Sequence, residues 1–287
     1  MSEPTAVIEA GENNLSCVVL AHPSGARAVA YAHGAHLTSY VPAGGEEVFF
    51  VSRRARFDAA SAIRGGVPVV FPQFAEQGPL PKHGFARVAE WAVPEASGAD
   101  GVARATFVLT DSPESLNLWP HTFLASLTVE LDGGGLELRL DVFNRGAEEI
   151  QFTVALHSYF RVADVRQAAV LGLKGSSFHD KELDRDRAQE EDEITVRAPL
   201  DRVYRDAPDL IRIRDGAGGR MLVLEKEGFA DAVVWNPWIE GAAKLADMED
   251  DEYLQMLCVE AGSVAVPVRL EAGGRWSARQ RVSVESL

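Results

Sequence analysis

Two short stretches carry side chains of the kind that move protons. In "TVALHSYFRV", Thr153 to Val162, strand alternation puts Ala155, His157, Tyr159 and Arg161 on one face and Leu156, Ser158 and Phe160 on the other. A face bearing imidazole, phenol and guanidinium together suits a hydroxyl-rich ligand better than a core. By periodicity alone it equally fits the exposed face of a sandwich with a stray histidine. In "LQMLCVEAGSV", Leu254 to Val264, Met256, Cys258 and Glu260 share a face while Leu257 and Val259 take the other. Glu260 ends an apolar run, so its carboxyl is expected to be partly desolvated, which raises its pKa and makes it a better base near neutrality. The open alternative is a strand-terminal glutamate in solvent.

A third stretch is basic. Between Ser61 and Glu90 there are three cations, Arg64, Lys82 and Arg87, against two acids, Glu76 and Glu90. The chain as a whole has a net charge of -15, from 28 Lys+Arg and 43 Asp+Glu. Arginine offers a planar fork that matches phosphate oxygens, and lysine adds a point charge. Gly65, Gly66 and Gly84 permit close backbone approach. "RGGVPVV" is neither a Walker A loop nor G-x-G-x-x-G, so nucleotide binding is not indicated. Three unrelated surface cations remain the alternative at this point.

Other chemistries leave no signature. The sequence has no H-E-x-x-H, C-x-x-C or G-x-S-x-G. His33 and His36 in "YAHGAH" have a spacing that suits a metal, but no carboxylate lies close in sequence, so a structural role is expected. The negative mean field disfavours a polyanionic partner such as nucleic acid. The acids concentrate in "DRDRAQEEDEI", Asp184 to Ile194, and "DMEDDEY", Asp247 to Tyr253, both read as solvated faces.

The elements that must hold these residues are strands. Short alternating runs recur along the chain, among them "ARAVAYAHG", "RATFVLT", "FLASLTVEL", "RMLVLEKEG" and "DAVVWNP", separated by Gly, Pro, Asn and Asp. "LDGGGLEL" reads as a hairpin. The best helical candidate is "AKLADMEDDEYLQML", which changes character near Tyr253. With no internal repeat and no low-complexity linker, the pattern predicts an all-β fold, a large antiparallel β-sandwich, with residues 1–287 as one domain. The start lacks a basic, apolar leader and no apolar run is long enough to cross a membrane, so a cytoplasmic chain without a membrane partner is expected. Two cysteines, Cys17 and Cys258, are too few for a disulfide framework. Nothing indicates an obligate interface, and a monomer is expected.

Together, "IRGGVPVVFPQF", "GPLPKHGFAR", "ALHSYFRVADV", "LDRVYRD", "DAVVWNPWIEGAAKLADMEDDEY" and "CVEAGSV" resemble, in order, the glucose-6-phosphate 1-epimerases, or hexose-6-phosphate mutarotases, of the aldose 1-epimerase superfamily. The resemblance runs from Ile63 to Val264, with looser flanks, and "WNPW" with "HGFAR" sets this branch apart from plain galactose mutarotases. It implies a galactose-mutarotase-like β-sandwich, no metal or organic cofactor, and a small-molecule sugar phosphate as the partner. It puts the catalytic pair on His157 and Glu260 and the phosphate-binding arginines on Arg64 and Arg87. Gln73, His83 and Asp201 fall on positions that line the sugar site. Two departures stand out: Ala261 where relatives carry proline ("VEPG"), and Lys82 where they often carry glutamine, which adds charge near the phosphate.

The implied reaction is exchange of α and β anomers by ring opening. Glu260 takes the proton of the C1 hydroxyl, His157 protonates the ring oxygen, and the roles swap on closure. His83 orients the O1/O5 region and Asp201 bonds sugar hydroxyls. Two other classes are carried alongside. A non-catalytic sugar-binding module needs no acid–base pair. An aldose 1-epimerase on neutral sugars has no anion to offset clustered cations.

Overall fold

The computed structural model describes residues 3–287. Three antiparallel sheets of four, eight and nine strands account for most of it. The four-stranded sheet is an N-terminal meander from Thr5–Ala10 to His36–Val41. The nine-stranded sheet includes the predicted hairpin, Phe123–Leu131 with Leu136–Asn144, joined through Asp132 to Gly135. The large sandwich expected from the strand pattern is therefore present.

The eight-stranded sheet carries the site. Across it run Leu200–Tyr204, Asp231–Asn236, Met256–Leu270, Ile150–Leu156 and the two-residue strand Val69–Val70. One face packs into the main core through Leu257, Val259, Ala261, Val234 and Leu156. The other carries Ala155, Val203 and Val233 in one small apolar cluster, and Tyr159, Met256 and Cys258 in another. Alternation thus divides 256–261 as expected, and Glu260 shares the second face.

Two expectations need correction. Glu260 does not end its strand: Met256–Leu270 continues past it for ten residues, and Glu260 pairs with Val233 in mid-sheet. Nor is 243–257 a helix. Only Trp238–Ala242 and a 3-10 turn at Glu252–Gln255 are helical, and the strand begins at Met256. The cause is visible in the acids of this segment, which reach back to Ser52, Arg53, Arg54 and Arg64 instead of sharing one helical face. Among the described residues no helix is long and apolar enough to cross a membrane.

Candidate active site

The strand bearing His157 is interrupted at that residue. Ile150–Leu156 pairs with Met256–Leu270 as far as Leu156 opposite Ala261, and pairing resumes with Tyr159 opposite Cys258. His157 and Ser158 fill the gap, with Val259 and Glu260 across from them. The break is supported from both sides. The Ser158 hydroxyl accepts from the buried Gln280 amide at 2.8 Å. On the other edge the "RGGVPVV" segment stands in for a strand: Tyr159 N–H donates to Gly66 O at 2.9 Å, and His157 N–H to Pro68 O at 3.0 Å. That path requires glycine. Gly65 and Gly66 have φ of 109° and 61°, and a Cβ on either would collide with the carbonyl of Phe50 or Leu37. His36 pins this turn by donating from Nε2 to Gly65 O at 2.7 Å, and His33 bonds Ser61 O at 2.7 Å. Both histidines are thus bound to backbone carbonyls. Burial pushes His36 down to about 4, so it does this as a neutral ring.

Above the break is a cavity of about 320 Å³, at the lower end of the usual ligand-pocket range of roughly 300–1,000 Å³. Of the residues singled out in the sequence, Arg64, Lys82, His83, Arg87, His157, Asp201 and Glu260 all line it. Segments far apart in the chain therefore converge on one space.

Glu260 and His157 meet at its floor, Oε1 to Nε2, at 3.4 Å. Burial drives Glu260 well above the ordinary carboxyl range, with Asp201 adding to the rise and Lys181 opposing it. Burial, then charge interactions with His83, Arg64 and Arg87, drive His157 well below the ordinary imidazole range. Both shifts favour the neutral forms, a carboxylic acid beside an imidazole with one titrating proton between them. Glu260 Oε2 and His157 Nδ1 are buried without a partner.

His83 hangs over the pair at a φ of 66°. Its Nδ1 accepts from Ala75 N–H at 3.3 Å, which leaves the proton on Nε2. Burial first, then Arg87, Lys82, Lys181 and Arg64, push it down to about 3, so it is a neutral donor. Arg64 donates to Tyr159 Oη at 2.9 Å and to Asp247 Oδ1 at 3.1 Å. Arg87 donates to Lys82 O at 2.8 Å, and its Nε is buried with no partner.

One assigned residue lies elsewhere. Gln73 does not line the cavity. Its amide nitrogen donates to Ala75 O and Leu80 O, and its oxygen accepts from Leu80 N–H, all at 3.0–3.1 Å. Its polar atoms are used in closing the 75–80 loop, where it acts as a structural clamp. Arg161 is also absent from the cavity, with its guanidinium over the Phe50 ring.

Sequence reasoning missed four participants. Lys181 lines the cavity, pairs with Asp201 at 3.2 Å and sits over the Phe74 ring at 4.9 Å. Trp235 presents its edge to His157 and Tyr159 at 6.0 Å. Asp247 and Glu252, read as part of a solvated face, are not. Asp247 holds Arg64. Glu252 is 2% exposed and accepts from Ser52 Oγ, Arg53 N–H and Glu249 N–H. The only sequence signal for Trp235 was "WNPW"; the other three carried none, because their partners lie far away in the chain.

The pattern of the aldose 1-epimerases matches residues 16–283. The chain belongs to the aldose 1-epimerase family. It is 35% identical to a Cenchrus ciliaris protein called "Putative glucose-6-phosphate 1-epimerase", over 99% of this chain and 89% of that one. An Escherichia coli K12 protein of the same name is 40% identical over 86% of this chain and 83% of its own. Among solved structures, a Salmonella typhimurium protein described as a "putative mutarotase" superposes with a TM-score of 0.91 at 30% identity, covering 99% of this chain and 94% of that one. A galactose mutarotase-like protein from Clostridium acetobutylicum shares the fold, with a TM-score of 0.80 at 17% identity. These likenesses extend the family beyond the stretches from which the resemblance was read, to nearly the whole chain.

Proposed function

We propose that this epimerase interconverts the α and β anomers of a hexose 6-phosphate, glucose 6-phosphate first among them, as a single domain and a monomer. The observation that carries the reading is one cavity that holds the Glu260–His157 acid–base pair at its floor and Arg64, Lys82, Arg87 and Lys181 around it, in a chain of net charge -15. The acids lining that cavity are Asp201 and Glu260, and Glu260 is held towards its neutral form. Asp247 and Asp201 pair with Arg64 and Lys181, so a neutral sugar leaves Lys82 and Arg87 uncompensated, whereas a phosphate dianion offsets them.

The steps follow from the proton inventory. The bound sugar meets the pair as Glu260 carboxylate and His157 imidazolium, which holds the same single proton as the neutral resting pair. Glu260 takes the proton from the C1 hydroxyl, the C1–O5 bond breaks, and O5 takes the proton from His157. The products are an open-chain aldehyde and the neutral pair that burial favours. Rotation about C1–C2 presents the other carbonyl face. O5 attacks C1 and loses its proton to His157, while O1 regains one from Glu260. Each proton transfer contributes roughly 10²–10⁴-fold. His83 Nε2–H is a donor for O1 or O5, and Asp201 with Lys181 supplies an acceptor and a donor for ring hydroxyls.

Exchange spectroscopy on purified protein tests the reading. Anomer exchange is accelerated for glucose 6-phosphate and far less for glucose. Equal acceleration of both sugars would reduce the function to neutral aldose epimerisation, and binding without acceleration would make the protein a sugar-binding module.

A further inference from the structure

Arg64 and His157 are linked by a single side chain. The Tyr159 ring stacks on the His157 ring, with centroids 4.7 Å apart and planes 10° from parallel. The Tyr159 hydroxyl accepts from Arg64 Nη1 at 2.9 Å. Tyr159 is buried, and burial holds it up to about 12 against the pull of Arg64, so it stays a phenol throughout the neutral range. Asp247 holds Arg64 from the other side, and Arg87, whose buried Nε has no protein partner, lines the same cavity.

The groups around His157 are Glu260 at 3.4 Å, the stacked ring of Tyr159, and the near-perpendicular rings of His83 and Trp235 with centroids 5.4 Å and 6.0 Å away. Arg64, bonded to the Tyr159 hydroxyl, and Arg87 both disfavour the charged form of His157. Their charge is what an oxyanion bound between them would cancel. The cost of placing a proton on His157 therefore depends on whether the arginines are occupied. Binding energy collected at a remote part of the substrate would then appear in the chemical step, not only in affinity.

On this basis we infer that the Arg64–Arg87 site is an activator site as well as an anchor: a free oxyanion bound there, communicating through Tyr159, switches on anomer exchange of a neutral sugar that lacks the phosphorylated arm. This gives the protein a further activity, oxyanion-dependent epimerisation of an unphosphorylated aldose. The inference rests on the reading of the cavity as a sugar-phosphate epimerase site. No covalent chemistry is added, since the protons move as described above and the oxyanion is neither consumed nor changed.

The test uses wild-type protein with D-xylose, which has the ring of glucose without C6, and inorganic phosphite as the separate anion. Enzyme-dependent α/β exchange is measured by ¹³C magnetisation exchange, with the exchange caused by phosphite alone subtracted. Phosphite raises the xylose rate saturably by roughly tenfold or more, equivalent to about 1.4 kcal/mol of barrier. Tyr159→Phe, which keeps the stacked ring and removes the hydroxyl, lowers the ratio of the saturated to the phosphite-free rate. A purely structural defect would lower both rates and leave that ratio intact. Phosphite that competes with glucose 6-phosphate yet leaves xylose exchange unchanged overturns the inference, as does a lack of any phosphite effect in a protein that exchanges glucose 6-phosphate. Full activation in Tyr159→Phe overturns the tyrosine route. A wild-type protein that fails to exchange glucose 6-phosphate itself refutes the epimerase reading instead, so the two failures are separable.

Discussion

Glu260 Oε1 lies 3.4 Å from His157 Nε2, and the two residues fill facing positions at a break in one sheet. The distance follows from the register. Leu156 pairs with Ala261 and Tyr159 with Cys258, so the intervening residues of the two strands must face each other. Ala261 is fully buried in the core face of that sheet and leaves the pair in place.

Replacing the base separates chemistry from binding. Glu260→Gln keeps the shape and most hydrogen bonds of the cavity but removes the acceptor for the C1 proton. Exchange falls by about 10²–10⁴-fold, while glucose 6-phosphate still titrates the protein in calorimetry. Loss of binding equal to loss of rate would assign Glu260 to structure.

The arginines separate the two sugars. Arg87→Ala removes the guanidinium whose Nε awaits a partner and costs a charge-assisted hydrogen bond, about 1.5–3 kcal/mol. kcat/KM for glucose 6-phosphate falls by roughly 10- to 100-fold, and the value for glucose rises, because a charge that disfavours protonated His157 is gone. Steady-state rates on both sugars give the ratio; an unchanged ratio contradicts the phosphate role.

The pH profile moves in opposite directions for two neighbours. Lys181 holds Glu260 down and Asp201 pushes it up, both beneath the dominant effect of burial. Activity on the alkaline side is lost when the pair gives up its one proton, so that limb follows the raised Glu260 value. Lys181→Met raises it further, and the proton is then lost at higher pH. Asp201→Asn lowers it, so the limb moves to lower pH. Rate against pH for the two variants checks the sign; shifts in the same direction would remove the electrostatic account.

Glu252 tests the anchoring of Arg64. Its carboxylate takes three donors from the Ser52–Arg53 segment and from Glu249, two residues after Asp247. Glu252→Ala leaves buried donors unmatched at about 1–3 kcal/mol each, partly relieved by water, and the urea midpoint drops. Because Asp247 then loses its fixed position, the preference for the phosphorylated sugar narrows as well. A stability loss with full preference retained would confine Glu252 to folding.

What the sequence made legible follows a physical boundary. Alternation along "LQMLCVEAGSV" separated Leu257 and Val259 from Met256, Cys258 and Glu260, because the face of a strand residue is set by its own parity. The cationic excess around Arg64, Lys82 and Arg87 was visible because glycine-rich loops leave local charge uncompensated. The strand break at His157 was not, since it depends on backbone donors reaching Gly66 and Pro68 from another segment. The loop contacts of Gln73 were hidden for a similar reason: an amide in a loop rich in glycine and proline looks free for a ligand until the loop closes on it. Asp247 and Glu252 looked solvated within an acidic run, yet their partners Arg64, Ser52 and Arg53 lie nearly two hundred residues away. Lys181 was hidden in the same way, reaching the site from the end of Ser177–Asp180 to meet Asp201.

The central claim is that one buried proton pair, assisted by clustered cations, exchanges the anomers of a phosphorylated hexose. The most direct measurement is magnetisation-exchange NMR on the anomers of glucose 6-phosphate and of glucose, with wild-type protein and Glu260→Gln side by side. The account predicts fast exchange for glucose 6-phosphate with wild-type protein only, and slow exchange in the other three samples. Undiminished exchange of glucose 6-phosphate by Glu260→Gln would contradict it.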